Sequence, residues 1–282
     1  VLEVLDSDYL TTGPKIEEFE NLIGKFCSNA FALAVNSGTS ALTLAYEVCE
    51  VGKQSLVWTT PLTFVATAAC AVRLGASIDF VDIDPDTLNL CPLFLEKKLK
   101  IAKKNSQLPD VLTVVHFAGN PVDMEQISSL AKKYKFKVVE DASHALGATF
   151  KDQVIGENRF SDVTVFSFHP VKTITTGEGG AVLLSEKKDF LKARSLRSHG
   201  ITRESSVSTD DFPSWFYRQN ILGYNFRMSE FHAALGISQM KKLESFIGKR
   251  NILAIKYKNM LDKMPLKFQK ILSGCRSSYH LF

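Results

Sequence analysis

The chain has 282 residues, 45% of them apolar and 23% charged, and a formal net charge of +4. That length allows one large domain or two smaller ones, and sixteen glycines with nine prolines are too few for a disordered or low-complexity chain. The mild charge argues against a nucleic-acid or membrane-surface partner, and no apolar run approaches the roughly 18 residues of a membrane span.

In chain order, the patterning predicts a helix over 16–26, a strand over 31–35, a helix over 39–49, a strand over 55–58 and a helix over 64–74. A strand over 77–81, a helix over 94–104, a strand over 111–115 and a helix over 124–134 follow. Asp123 and Gln126 bracket the start of that last helix as a capping box would. Strands over 137–140, 163–168 and 181–184 lead to a helix over 187–197. Residues 198–222, with Pro213, read as a long surface loop, and 229–261 as one long helix. Its apolar face is Phe231, Leu235, Leu243 and Phe246, widened by Ala234, Ile237 and Met240. The strands are continuous apolar runs alternating with helices, which predicts an α/β fold with a largely parallel sheet covered on both faces. The lysine-rich stretches 97–104 and 132–137 read as solvated helix faces. Cys27, Cys49, Cys70, Cys91 and Cys275 are odd in number and include no CxxC pair. They are expected to be reduced thiols of a cytoplasmic protein, not a zinc site or disulfide framework. Nothing near Val1 has the form of an export signal. Val1 is not an initiator methionine, so the chain is read as starting inside a longer gene product.

Three segments can carry chemistry. Ser37-Gly38-Thr39-Ser40 joins a strand to a helix, where unpaired N–H groups and the helix dipole favour an anion. Simple N-capping explains the same residues, and neither GxGxxG nor a P-loop pattern is present. In Glu140-Asp141-Ala142-Ser143-His144, Asp141 can bind a metal, act as a base, hold a protonated ring nitrogen or cap a helix. His144 can be a ligand, a support or a structural histidine. Lys172 lies between Phe166-Ser167-Phe168 and Gly177-Glu178-Gly179-Gly180. Enclosure there lowers the pKa of its amine and makes it a nucleophile suited to an aldehyde. An anion cradle, a carboxylate and an enclosed lysine together match the needs of pyridoxal 5'-phosphate (PLP). Phe64 can stack on its ring or belong to the core.

Thr11-Thr12-Gly13-Pro14, the run 36–42, Asp82-Ile83-Asp84, His116-Phe117-Ala118-Gly119, the run 140–145 and the run 167–180 together resemble the DegT/StrS family. These are PLP-dependent nucleotide-sugar aminotransferases, and the motifs keep family order from Thr11 to about Arg250. The resemblance implies the aspartate-aminotransferase-like (type I) fold, with a large PLP-binding domain over 1–245. Residues 246–282 would be a linker helix and the beginning of a small C-terminal α+β domain. Lys172 would attach the cofactor and shuttle the substrate's α-proton, Asp141 would pair with the pyridine nitrogen, and His144 would stand beside the phenolic oxygen. Thr39, Ser40 and Ser167 would bind the phosphate and Phe64 would stack on the ring. Asn225 would reach the phosphate of a neighbouring subunit, which implies a homodimer with shared active sites.

The runs 61–67, 168–180, 197–200 and 277–281 are similar to the branch that serves pseudaminic acid biosynthesis. That branch moves an amino group from L-glutamate to the C4 keto group of a UDP-4-keto-6-deoxy-hexosamine. A transaminase for another nucleotide-linked 4-keto sugar stays open, as does a truncated cofactor-binding protein. A deoxygenating relative would carry histidine where Lys172 stands. Family members begin upstream of Val1 and continue past Phe282, so part of the sugar-nucleotide pocket is expected outside this chain, with PLP bound but turnover poor.

Overall fold

The computed structural model describes residues 1–202 and 215–282. Its strands are β1 (Ala32–Val35), β2 (Leu56–Thr59), β3 (Ser77–Phe80), β4 (Val111–Val115), β5 (Lys137–Asp141), β6 (Thr149–Phe150), β7 (Gln153–Val154), β8 (Val163–Ser167), β9 (Gly180–Leu184), β10 (Ile201–Thr202), β11 (Arg218–Gln219) and β12 (Cys275–Arg276). The helices are α1 (Leu2–Leu5), α2 (Pro14–Phe26), α3 (Gly38–Val48), α4 (Ala66–Arg73), α5 (Pro92–Lys104), α6 (Met124–Tyr134), α7 (Lys187–Arg197), α8 (Glu230–Met240) and α9 (Leu243–Leu261).

Seven strands form one sheet in the order β1-β9-β8-β5-β4-β2-β3. Neighbours from β3 to β8 run parallel, and β9 is antiparallel to both β8 and β1. Alternate residues of each strand enter opposite cores, as the period of two requires. Ala32 and Ala34, Leu112 and Val114, and Val138 join Phe19, Leu95, Leu99 and Ile127 on one face. Leu33 and Val35, Val111, Val139, Val163 and Val165 join Leu44, Tyr46 and Cys70 on the other. Both faces are therefore covered, which is why the strands read as unbroken apolar runs. All seven strands of this sheet fall where the patterning predicts them. Asp123 accepts from the Gln126 N–H at 3.2 Å, and the Gln126 side chain returns to the carboxylate of Asp123 at 2.6 Å.

Three expectations need correction. The single helix over 229–261 is two helices, broken at Lys241-Lys242, where the Lys242 N–H turns back to the Gln239 carbonyl. Tertiary packing redirects the chain there. Gly236 of α8 lies so close to Phe19 that a Cβ would sit 2.6 Å from its ring, whereas Ile247 of α9 packs on Gly147. The buried faces are consequently Ala233, Gly236 and Ile237, then Leu243, Ile247 and Ala254, while Phe231 is exposed. Secondly, the loop over 198–222 contains an antiparallel pairing of β10 with β11; residues 203–214, including Pro213, lie outside the described residues. Thirdly, β12 pairs with β6 in a small sheet completed by β7, a non-local pairing invisible to local patterning. Among the described residues no helix is long and apolar enough to cross a membrane.

Glu230, at the first turn of α8, is 1% exposed. Its carboxylate accepts from the N–H groups of Gly13 at 2.9 Å, Lys15 at 2.7 Å and Ile16 at 3.1 Å. A remote side chain thus caps α2, with its charge at the positive end of the helix dipole. Glu230→Ala leaves these donors unpartnered and is expected to lower the unfolding free energy by about 2–3 kcal/mol. Urea titration measures it; a change below about 0.5 kcal/mol would remove the cap from the account.

Candidate active site

Strand parity and chain direction assemble the site. Asp141 ends β5 two residues after Val139, so it faces the α3 and α4 layer. Glu140 faces the opposite layer, where it accepts from buried His116 Nε2 at 2.7 Å. Ser167 ends β8 in phase with Val163 and Val165 and faces the same side as Asp141. Ser37 caps α3 by accepting from the Ser40 N–H at 3.0 Å. Gly38 lies against Ser167, whose Cβ would be 2.8 Å from an added methyl, and Gly180 lies against the Ser37 carbonyl at 2.6 Å from the same probe position. Side chains at either glycine would push the helix start away from the sheet edge.

A cavity of about 490 Å³ opens at this edge. Thr39, Phe64, Asp141, His144, Ser167 and Lys172 all line it. Ser40 and Asn225 do not stand on its wall. The Ser40 hydroxyl accepts from Ser37 at 3.0 Å and donates to Asn36 Oδ1 at 2.6 Å. The Asn225 carbonyl accepts from the Asn36 side chain at 3.2 Å, so Asn225 sits beside the α3 junction without reaching the cavity.

Asp141 is 5% exposed and fully engaged. Oδ2 accepts from the Thr67 hydroxyl at 2.7 Å, and Oδ1 from the Ser143 N–H at 3.2 Å. Thr67 spends its proton on this carboxylate, so it accepts from Thr63 at 2.7 Å. The Thr67 backbone carbonyl is held in turn by the Tyr46 hydroxyl at 2.5 Å. Thr63 and Thr67 were not singled out from the sequence as site residues. A signal existed: both lie in the run 61–67, Thr63 in the turn that leads into α4 and Thr67 on the first turn of that helix.

Lys172 sits in the loop joining β8 to β9, an antiparallel pair whose register matches Ser167 with Gly180. Its N–H is fixed by the His169 carbonyl at 2.9 Å. Burial lowers the pKa of its amine, and the negative charge of Asp141 opposes that shift in part. Burial pushes His144 down to about 4, with the charge of Lys172 adding to the effect. His144 is therefore neutral near pH 7. Its Nδ1 accepts from the Ala118 N–H at 3.3 Å, which places the remaining proton on Nε2. The cavity thus offers an anion-binding helix start, a buried carboxylate, a weakened ammonium, a neutral imidazole and an aromatic face. The small hydroxyls and the glycine-limited approach at Gly38 suit a phosphate, and the carboxylate suits a ring N–H, so the residues present fit PLP.

The family model for DegT/DnrJ/EryC1/StrS aminotransferases matches residues 1–282. The chain belongs to that family. A UDP-4-amino-4,6-dideoxy-N-acetyl-beta-L-altrosamine transaminase from Campylobacter jejuni is 41% identical over 281 residues, covering 99% of this chain and 71% of the relative. PseC from Helicobacter pylori, an aminotransferase involved in pseudoaminic acid biosynthesis, superposes with a TM-score of 0.87 at 32% identity, over 99% of this chain and 71% of that one. The PLP form of Spr1654 from Streptococcus pneumoniae, named a sugar aminotransferase, superposes with a TM-score of 0.85 at 27% identity, over 100% of this chain and 73% of that one. This DegT-family chain accordingly has the α/β architecture of PLP-dependent aminotransferases.

Proposed function

We propose that this chain is a PLP-dependent transaminase that moves the amino group of L-glutamate to the C4 keto group of a UDP-4-keto-6-deoxy-hexosamine, in the pseudaminic acid pathway. The observation that carries the reading is the convergence of Lys172, Asp141, His144 and the α3 N-terminus on one cavity. The 41% identity to the Campylobacter transaminase supports the choice of sugar.

When bound, PLP supplies an aldehyde that condenses with amines and a ring that accepts the electrons released at a substrate carbon. Thr39 and Ser167 would hold the phosphate with the α3 N–H groups, while Ser40 orders Ser37 behind them. Asp141 would pair with the pyridine nitrogen and keep the proton there. His144 would offer its Nε2–H to the phenolic oxygen, and Phe64 would cover the ring. Lys172 Nζ would be the amine that holds the cofactor and the base for the α-proton of glutamate. Its lowered pKa gives more of the neutral amine that both tasks need.

Three further parts of the reading are proposals of the same kind. Residues 1–245 form the PLP-binding domain, and 246–282 a linker helix with the beginning of the small domain. A homodimer brings Asn225 of each subunit to its neighbour's phosphate; Phe64, Val65 and Leu222, which are 70%, 68% and 86% exposed, supply apolar surface for that contact. The five free thiols suit a reducing, cytoplasmic setting.

Absorbance spectroscopy tests the assignment. With PLP added, a yellow band that disappears on borohydride reduction, leaving the label on Lys172, is expected. L-glutamate should then convert the spectrum to that of the pyridoxamine form. A band that ignores glutamate would leave a cofactor-binding protein without turnover, and a colourless protein would end the reading.

A further inference from the structure

Residues 277–281 pack against His144 and the turn before it. The Ser278 hydroxyl, fully buried, donates to the His144 carbonyl at 2.7 Å, and the Ser278 N–H donates to the Gly119 carbonyl at 3.1 Å. The His280 ring lies on the His144 ring at 4.3 Å between centroids, tilted by 34°. Arg250 of α9 clamps the segment by donating to the carbonyls of Tyr279 at 2.9 Å and His280 at 3.2 Å, and Asn251 donates to the Ser277 carbonyl at 3.0 Å. Gly119 is at φ +90°, and a Cβ there would meet Ser278 Oγ at 2.2 Å and the His144 carbonyl at 2.8 Å. Ala118, whose N–H reaches His144 Nδ1, is itself at φ +60°. That backbone costs energy for a residue with a side chain and persists only where its surroundings impose it.

We propose that residues 277–281 are a positioning element for His144: with Arg250 and the Ala118–Gly119 turn they hold its imidazole in one orientation and one tautomer, Nδ1 accepting and Nε2 carrying the proton. The contacts of Ser278 and His280 fall on the groups that set this geometry. Ser278 fixes the His144 backbone and the Gly119 carbonyl next to the donating amide, and His280 covers the ring and excludes water from it. In that state the cavity receives a donor only. An oxygen that gathers negative charge is stabilised there, and a group needing an acceptor is not. The proposal rests on the reading of the cavity as the PLP site only for the identity of that oxygen. The groups that act on His144 support it: Lys172 faces it from the β8–β9 loop, and His280, itself pushed down to about 3 by burial with His144, Lys172 and Arg250 adding, faces it from the segment. Burial and the charge of Lys172 both disfavour a second proton on the His144 ring.

The test is nitrogen-15 NMR of histidine-labelled, cofactor-free chain, with His144 assigned by its loss in His144→Gln. The wild type is expected to give the Nε2–H tautomer and to titrate near pH 4. His280→Ala uncovers the ring and should raise that midpoint by at least about one pH unit toward the ordinary histidine value, whereas His280→Phe, which keeps the cover, should not. Ser278→Ala should mix the two tautomers. An Nδ1–H signal in the wild type overturns the proposal without any variant, and so does an unchanged midpoint and tautomer in both His280→Ala and Ser278→Ala. Because no cofactor is present, the expected result combined with failure to bind PLP would refute the functional reading and leave this one standing. With PLP bound, the pH midpoint of the visible band should move in His280→Ala and hold in His280→Phe, a readout that a purely structural segment would not alter.

Discussion

Lys172→Ala is expected to abolish covalent attachment of PLP and to lower amino transfer by about 10⁴-fold, because the proposed function gives one amine both attachment and proton transfer. The substitution leaves the scaffold intact. The loop is fixed through the Lys172 N–H to His169 and through Thr175 and Thr176 to Phe168, contacts that alanine keeps. Mass spectrometry after borohydride should find no label, while PLP still binds reversibly through the α3 cradle. A small added amine should restore part of the proton transfer, since the cavity has room where the side chain stood. Mixing Lys172→Ala with Asn225→Ala subunits extends the test to the dimer. If sites are shared as proposed, mixed dimers regain one intact site and part of the activity. Labelling of the Lys172→Ala chain at another lysine would sink the assignment of the amine.

Asp141→Asn should slow the glutamate half-reaction by roughly 30- to several thousand-fold, the range expected when one partner of a buried charge pair is lost at 2–5 kcal/mol. The amide is isosteric and can still accept from the Ser143 N–H, and the Thr67 hydroxyl can turn to accept from its NH₂ group. Folding should therefore be nearly unchanged. What disappears is the negative charge that, on the proposed reading, would keep a ring nitrogen protonated and the ring able to take up electrons. Asp141→Glu should not restore the rate, because the longer side chain cannot enter a site that is 5% exposed and already closed by Thr67. Single-turnover absorbance with L-glutamate checks both variants. An Asp141→Asn enzyme at wild-type rate would remove Asp141 from the chemistry.

Local signals carried the chain a long way toward both fold and site. Unbroken apolar strands and capped helices announced a sheet covered on both faces, and the runs around Ser37, Asp141 and Lys172 announced an anion, a carboxylate and an amine at the sheet edge. Where the reading failed, contacts distant in sequence had intervened. Nothing in Lys241-Lys242 forbids a continuous helix; the break exists because Phe19 holds α8 and Gly147 receives α9. Nor does the neighbourhood of His144 reveal that residues more than a hundred positions later, Ser278 and His280, sit on it.

By itself the sequence determined the strands of the main sheet, their alternation with helices, the family and the residue types gathered at the sheet edge, because propensity, capping and hydrophobic period act over a few residues. Only the tertiary structure decided which of those residues share a cavity and what state they are in. Strand parity put Asp141 and Ser167 on one face and Glu140 on the other. Burial left His144 neutral and lowered the pKa of the Lys172 amine, and burial is a property of what the rest of the chain packs on top.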